Sequence, residues 1–209
     1  MSFIDKIDFF RMDVLKEIGN IGAAHAATSL SHMLGQKINM RVPGAKVVSF
    51  NQMLDMAGGA DHVAATIFLR VEGDIKGSMF FVLPLPVASY FIKQMTDEDF
   101  SFNGDPLKDL HMSALQELGN ILSGSYLTSL SDFTKLNIYP SVPSLSIDMT
   151  GATISTGLIE LSQTSDHAIV IETLIEKEGV SQLSGHFFLL PDPDSFEIIF
   201  ASLGVGTNG

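Results

Sequence analysis

The sequence predicts an α+β fold in which two pseudo-twofold units share a largely antiparallel sheet covered by long helices. Three observations predict it. The chain matches itself at an offset of 100 residues, each copy opens on a long helical stretch, and each continues into β-rich segments closed by a second helix. Two copies are too few for a solenoid, so a closed globular arrangement is expected.

The repeat is dense where it matters. Placing residue 113 under residue 13 gives 12 identities in 31 gap-free positions, where chance would give roughly two. Leu15/Leu115, Glu17/Glu117, Gly19/Gly119, Asn20/Asn120 and Ile21/Ile121 fall in the first third. Thr28-Ser29-Leu30-Ser31 recurs as Thr128-Ser129-Leu130-Ser131, and Ile38, Val42 and Pro43 recur as Ile138, Val142 and Pro143. Further along, Phe80-Phe81-Val82-Leu83-Pro84 is matched with Phe187-Phe188-Leu189-Leu190-Pro191 at a longer offset. The units are placed at about 10–100 and 108–205 of a single domain spanning 1–209.

Each element has a local reason. A helix is expected from about Arg11 to Leu34, stopped by Gly35, with its counterpart from about Leu107 to Phe133. Lys46–Phe50, Val63–Val71 and Gly77–Leu83 read as strands, the middle one alternating and β-branched. Pro84 and Pro86 lead into a helix over Val87–Met95, echoed at Ser195–Leu203. Gly58-Gly59 reads as a loop and Phe102–Pro106 as the linker between units.

The helical reading gathers polar residues on one face. At 100° per residue, Asp13, Glu17 and Asn20 lie within about 60° of each other, as do Ser113, Glu117 and Asn120. Val14, Leu15, Ile18 and Ile21 point elsewhere and supply the buried side. A solvated face is the ordinary account of such a stripe. Its persistence beside Gly19 and Gly119, at one offset in both copies, argues for more. Each mid-helix Gly costs about 1 kcal/mol against Ala, so another backbone is expected to approach there.

Composition narrows the function classes. Twenty-four acids against twelve bases give a formal charge of −12, the wrong sign for nucleic acid or an anionic membrane surface. The N-terminus lacks a basic region leading into an apolar stretch, so no secretory leader is expected and the cytoplasm is the expected compartment. With no cysteine, a disulfide framework, a thiolate metal site and a cysteine nucleophile are all excluded. His25 and His32 share a helix face but sit about 10 Å apart along it, too far to ligate one ion. Ala57-Gly58-Gly59-Ala60 lacks the Gly-Lys-Ser/Thr ending of a phosphate loop.

Both copies resemble the signature of the CheC/CheX/FliY chemotaxis phosphatases: Asp or Ser, three residues, Glu, two residues, Asn, twenty-two residues, Pro. Here it reads Asp13, Glu17, Asn20, Pro43, and again Ser113, Glu117, Asn120, Pro143. The likeness spans nearly the whole chain. Two motifs favour the CheC branch over the single-site CheX type, and an end at Gly209 leaves no room for the flagellar-switch domain of FliY.

The resemblance implies hydrolysis of the aspartyl-phosphate of a CheY-type response regulator. Asn20 and Asn120 are then expected to orient the attacking water, and Glu17 and Glu117 to dock against the regulator's lysine. Asp13 and Ser113 are expected to support the Glu or touch the partner, and Pro43 and Pro143 to fix an exit loop beside each site. No cofactor or metal of its own is implied; Mg²⁺ is expected on the regulator. The receptor deamidase CheD is the second implied partner, with Asp148 (counterpart Val48) a candidate contact and edge exposure its plainer account. A monomer or a heterodimer with CheD is expected. The competing reading is an adaptor that binds CheY and CheD with little or no hydrolysis.

Overall fold

The computed structural model describes residues 9–103, 105–159, 167–177 and 180–204. The first half runs α1 (Phe9–Leu34), β1 (Ile38–Ser49), α2 (Phe50–Met56), β2 (Val63–Gly73), β3 (Gly77–Pro84) and α3 (Leu85–Thr96). The second runs α4 (Asp109–Thr134), β4 (Ile138–Pro140), β5 (Ser144–Met149), α5 (Thr150–Gly157), β6 (His167–Lys177), β7 (Val180–Pro191) and α6 (Pro193–Ser202). The two long helices fall where the sequence puts them. Gly35 closes α1 at φ +63°, a left-handed stop that costs Gly nothing, and Lys135 takes the same conformation after α4.

All seven strands form one antiparallel sheet in the order β1-β6-β7-β3-β2-β4, with β5 also on β2. The halves are interlocked. The first strand of the first half pairs with β6 of the second, while β4 and β5 pair with β2 of the first. With β4 and β5 together standing for β1, the order is the same from either end. The pseudo-twofold therefore passes between β3 and β7, where Phe80 faces Phe188 and Phe81 faces Phe187.

That axis corrects one sequence match. A twofold normal to the sheet keeps residues on their own face, and a shift of one residue along a strand would move them to the other. Phe80 and Phe188 share one buried cluster, Phe81 and Phe187 the other. Phe80 therefore corresponds to Phe188, one residue beyond its match in sequence.

The sheet is buried on both faces. On one, α1, α3, α4 and α6 enclose the larger core, including Leu15, Ile67, Phe91, Leu118, Ile171 and Phe200. On the other, α2 and α5 cover Val48, Ala64, Phe80, Val170 and Phe188 with Met53 and Ile154. Neither short helix was expected. Helix α2 begins at a capping box in which Ser49 Oγ accepts from Gln52 N–H and Gln52 Oε1 accepts from Ser49 N–H. The Gly58-Gly59 turn follows it, at φ +100° and +101°.

The two prolines of the motif also sit differently from the expectation. Pro43 lies inside β1, not in an exit loop, at an irregularity between Arg41 and Gly44. An outer strand tolerates the missing N–H there. Around Pro143 the chain leaves the ladder altogether and splits the edge into β4 and β5. Ser141 bridges the gap, its N–H donating to Arg70 O and its Oγ accepting from Arg70 N–H, both at 2.9 Å.

One buried ionic cluster ties the exchanged strand in place. Glu172 on β6 is 7% exposed; its carboxylate meets His186 Nδ1 on β7 at 3.2 Å and Lys46 Nζ on β1 at 3.5 Å. His186 first, then the Lys46 charge, holds the Glu172 carboxyl below the usual range against the opposing effect of burial. A depressed carboxylate stabilises the fold above its unfolded pKa, and that contribution goes as pH falls through the lower folded value. Glu172→Gln should therefore cost about 1–3 kcal/mol at pH 7 and shrink the stability lost between pH 7 and pH 3, as read by urea unfolding at both.

Candidate functional site: two Glu–Asn helix faces

Helices α1 and α4 lie side by side over the sheet, joined by a 2.7 Å hydrogen bond from Ser125 Oγ to Ser29 Oγ. Their apolar sides face inward: Leu15, Ile18, Gly19, Gly22, Ala23 and Ala26 on α1, and Ala114, Leu115, Leu118, Gly119 and Leu122 on α4. The polar stripes are left outside. Asp13 and Glu17 are exposed and Asn20 is half-buried; Ser113, Glu117 and Asn120 are all exposed. The structure thus brings each predicted trio onto one accessible face, two faces in all.

The glycine before each asparagine has a physical task. A Cβ on Gly19 would sit 2.6 Å from Ile171 Cγ2, and one on Gly119 would sit 2.7 Å from Ile67 Cγ2. Ile67 on β2 and Ile171 on β6 occupy equivalent places, so each helix beds on the sheet at the residue next to its Asn. The close neighbours are side chains, not the backbone the sequence led us to expect. Gly22 similarly accepts the Tyr126 ring, three of whose carbons would lie 2.7 Å from a Cβ there. Tyr126 is fully buried, which pushes its phenol well above the ordinary value.

The two faces are alike in outline but not in detail. Asn120 Nδ2 donates to Glu117 Oε2 at a long 3.4 Å. On α1, Phe10, Asp13, Val14, Lys16, Glu17 and Asn20 line one shallow open depression. Phe10 and Lys16 leave no signal in the repeat, where their counterparts are Leu110 and Gln116. Among the described residues no three His, Asp or Glu side chains group as metal ligands. Chemically, each face offers a carboxylate for a cation and a carboxamide that can both donate and accept.

Asp148 is far from this arrangement in the fold. It lies exposed on β5, paired with Ala64, on the sheet face covered by α2 and α5. Its carboxylate accepts from Met149 N–H at 2.7 Å and borders a groove of about 190 Å³ with Thr66, Phe68, Ser146 and Thr153. The equivalent Val48 is buried.

An interlocked α+β pair of units, each presenting Glu and Asn from its first helix, defines the class of protein. The CheC-like family profile matches at residues 10–47 and 110–147, the two helices and the strands after them. The CheY-P phosphatase CheC of Bacillus subtilis (strain 168) is 51% identical over 207 residues, covering 98% of this chain and 99% of that protein. The flagellar motor switch phosphatase FliY of the same organism is 30% identical over 139 residues, 66% of this chain and 36% of that protein. The Thermotoga maritima FliY structure superposes with a TM-score of 0.73 at 22% identity, covering 95% of this chain and 98% of that one, a likeness of fold. The chain belongs to the CheC/CheX/FliY superfamily of chemotaxis phosphatases, in its CheC-like family.

If Gly119 sets the depth of the second face, Gly119→Ala should destabilise the protein by about 1–3 kcal/mol as the helix lifts from Ile67. Gly124→Ala, with nothing within 4 Å of its Cβ, should be neutral or stabilise by up to about 1 kcal/mol. Thermal melts of the two variants make the comparison.

Proposed function

We propose that this protein hydrolyses the aspartyl-phosphate of a CheY-type response regulator at two sites, one on α1 and one on α4. The observation that carries the reading is the same Glu–Asn pair held accessible at equivalent places in both halves, each beside a glycine that fixes its depth. The 51% identity to a CheY-P phosphatase over nearly the full length supports it. Its place of action is the cytoplasm, with the regulator; among the described residues no helix is long and apolar enough to cross a membrane.

An acyl phosphate is already activated, so what hydrolysis lacks is a water held in line with phosphorus. Asn20 or Asn120 fills that need: its carbonyl oxygen accepts from the water while its NH₂ donates to an oxygen of the reacting group. Glu17 or Glu117 pairs with the regulator's active-site lysine, a charge-assisted contact that anchors and aligns the partner. Asp13 and Ser113, one turn earlier on the same faces, contact the partner beside the Glu. Magnesium on the regulator supplies charge neutralisation at the phosphoryl group. Pro43 and Pro143 act at a distance, by shaping the strand edge after each helix.

A second partner fits the opposite side of the sheet. The exposed Asp148 carboxylate and its groove favour a docking surface for the deamidase CheD, in a heterodimer that leaves both Glu–Asn faces free. In the adaptor alternative, that surface and the two stripes would all be docking faces, and hydrolysis would be negligible.

Decay of phosphorylated CheY separates the readings. Each of Asn20→Ala and Asn120→Ala should silence one site, and the double variant should lose about 100-fold in rate while still binding the regulator. No acceleration by the unmodified protein, with CheD present or absent, would leave only the adaptor. Asp148→Lys should abolish CheD capture without changing basal phosphatase rate; normal capture would remove Asp148 from that surface.

A further inference from the structure

The two sites differ in charge arrangement. Equivalent positions read Asp13, Lys16, Glu17, Asn20 on α1 and Ser113, Gln116, Glu117, Asn120 on α4. Asp13, Lys16 and Glu17 together carry −1 on the first stripe, as Glu117 alone does on the second. Net charge is equal. What the first stripe has in addition is a separated pair, one cation and one anion, where the second has two neutral side chains.

The position of that cation is specific. Lys16 is half-buried and lines the depression together with Glu17 and Asn20. It stands four residues before Asn20, so the two are neighbours on the helix surface, about 5–6 Å apart at Cβ. Asp13 stands on the other side of Lys16, three residues earlier. Lys16 therefore flanks the Asn20 edge of the first stripe inside the shared depression, and its long side chain brings a positive charge within reach of a group held at Asn20. The other cation of this turn is engaged elsewhere: Arg11 is buried, its guanidinium 5.1 Å from the centre of the Phe200 ring.

We propose that Lys16 is a specificity-determining residue of the first site, placing a positive charge against the phosphoryl oxygens of the incoming regulator. The proposal rests on the phosphatase reading above. It makes the first site discriminate phosphorylated from unphosphorylated regulator by charge, whereas the second site, with Gln116, relies on shape and on the Glu117 contact. Because an exposed ion pair is screened by salt, recognition at the first site is the more salt-sensitive of the two.

The test isolates one site at a time. In Asn120→Ala, where only the first site turns over, Lys16→Gln should raise KM for the phosphorylated regulator about three- to tenfold at low ionic strength. The kcat should hold, the salt dependence of KM should flatten, and Lys16→Arg should restore both. In Asn20→Ala, where only the second site works, Lys16→Gln should change nothing and Gln116→Lys should lower KM and introduce salt dependence. Unchanged KM and salt slope in the first background, or equal shifts in both, would overturn the proposal. If neither single-site protein speeds decay, the phosphatase reading fails instead. Calorimetric binding of the beryllofluoride-loaded regulator then still decides: Lys16→Gln must weaken one of two binding events, and two unaltered events would reject the role of Lys16.

Discussion

Strand exchange is the constraint on which the rest of the structure depends. Strand β1 leaves its own half to pair with β6, and β4 and β5 leave theirs to pair with β2. Neither half closes a sheet from its own chain segment. Each long helix precedes an exported strand, so α1 must lie across the partner half before β1 can reach β6. This is why Gly19 on α1 beds against Ile171 of the second half, and Gly119 on α4 against Ile67 of the first. Each Glu–Asn face is supported from below by the other half, and the Lys46–Glu172–His186 cluster fixes one of the exchanged strands to its hosts.

The Gly–Asn dipeptide joins structure and chemistry in two adjacent residues. Consecutive residues on a helix lie 100° apart, so when Gly19 faces the sheet, Asn20 must emerge at the edge of the buried surface, and it is half-buried there. A larger residue at Gly19 would displace the helix and carry Asn20 with it. The depth of the carboxamide is thus set by a contact, Cβ position to Ile171, that itself touches no partner. Glu17 lies 200° from that glycine, on the solvated side, where a long side chain can reach a partner's cation.

What was legible in the sequence follows the range of the interactions involved. Helices α1 and α4 are 26 residues each, long enough for their period to show, and their stripes repeat at one offset. Helices α2 and α5 have 7 and 8 residues. The second, Thr-Gly-Ala-Thr-Ile-Ser-Thr-Gly, has Ala152 as its one strong helix former and is held by burial of Ile154, which no local rule registers. The Ser49–Gln52 capping box starts α2 at Phe50, where the sequence suggests the end of a strand over Lys46–Phe50. Strand exchange left no mark at all, since an antiparallel edge has the same alternating pattern whichever half it pairs with. The Phe80/Phe187 match failed for a related reason: phenylalanines face both sides of β3 and β7, so sequence could not choose between adjacent registers.

Duplication kept the two faces while letting the interior between them diverge. Gly22 faces the ring of Tyr126, whereas their equivalents are Leu122 and Ala26. Both small residues stand on α1 and both large ones on α4, so the two helices fill their shared interface by complementary shape, as no symmetric pair of identical helices would. The motif's last step diverged as well. Val42 is 5% exposed beneath α1 with Pro43 outside, whereas Val142 is 89% exposed and Pro143 is buried. An irregularity absorbed within β1 has become a break between β4 and β5. With the strands after the two helices so different, what the faces share rests on the helices themselves and on their equivalent beds at Ile171 and Ile67. Glu, Asn and the intervening glycine are among the residues that remained the same in both halves. Lys16 and Asp13 lie among the positions that changed, with Gln116 and Ser113 as their counterparts, so only the first stripe carries a cation.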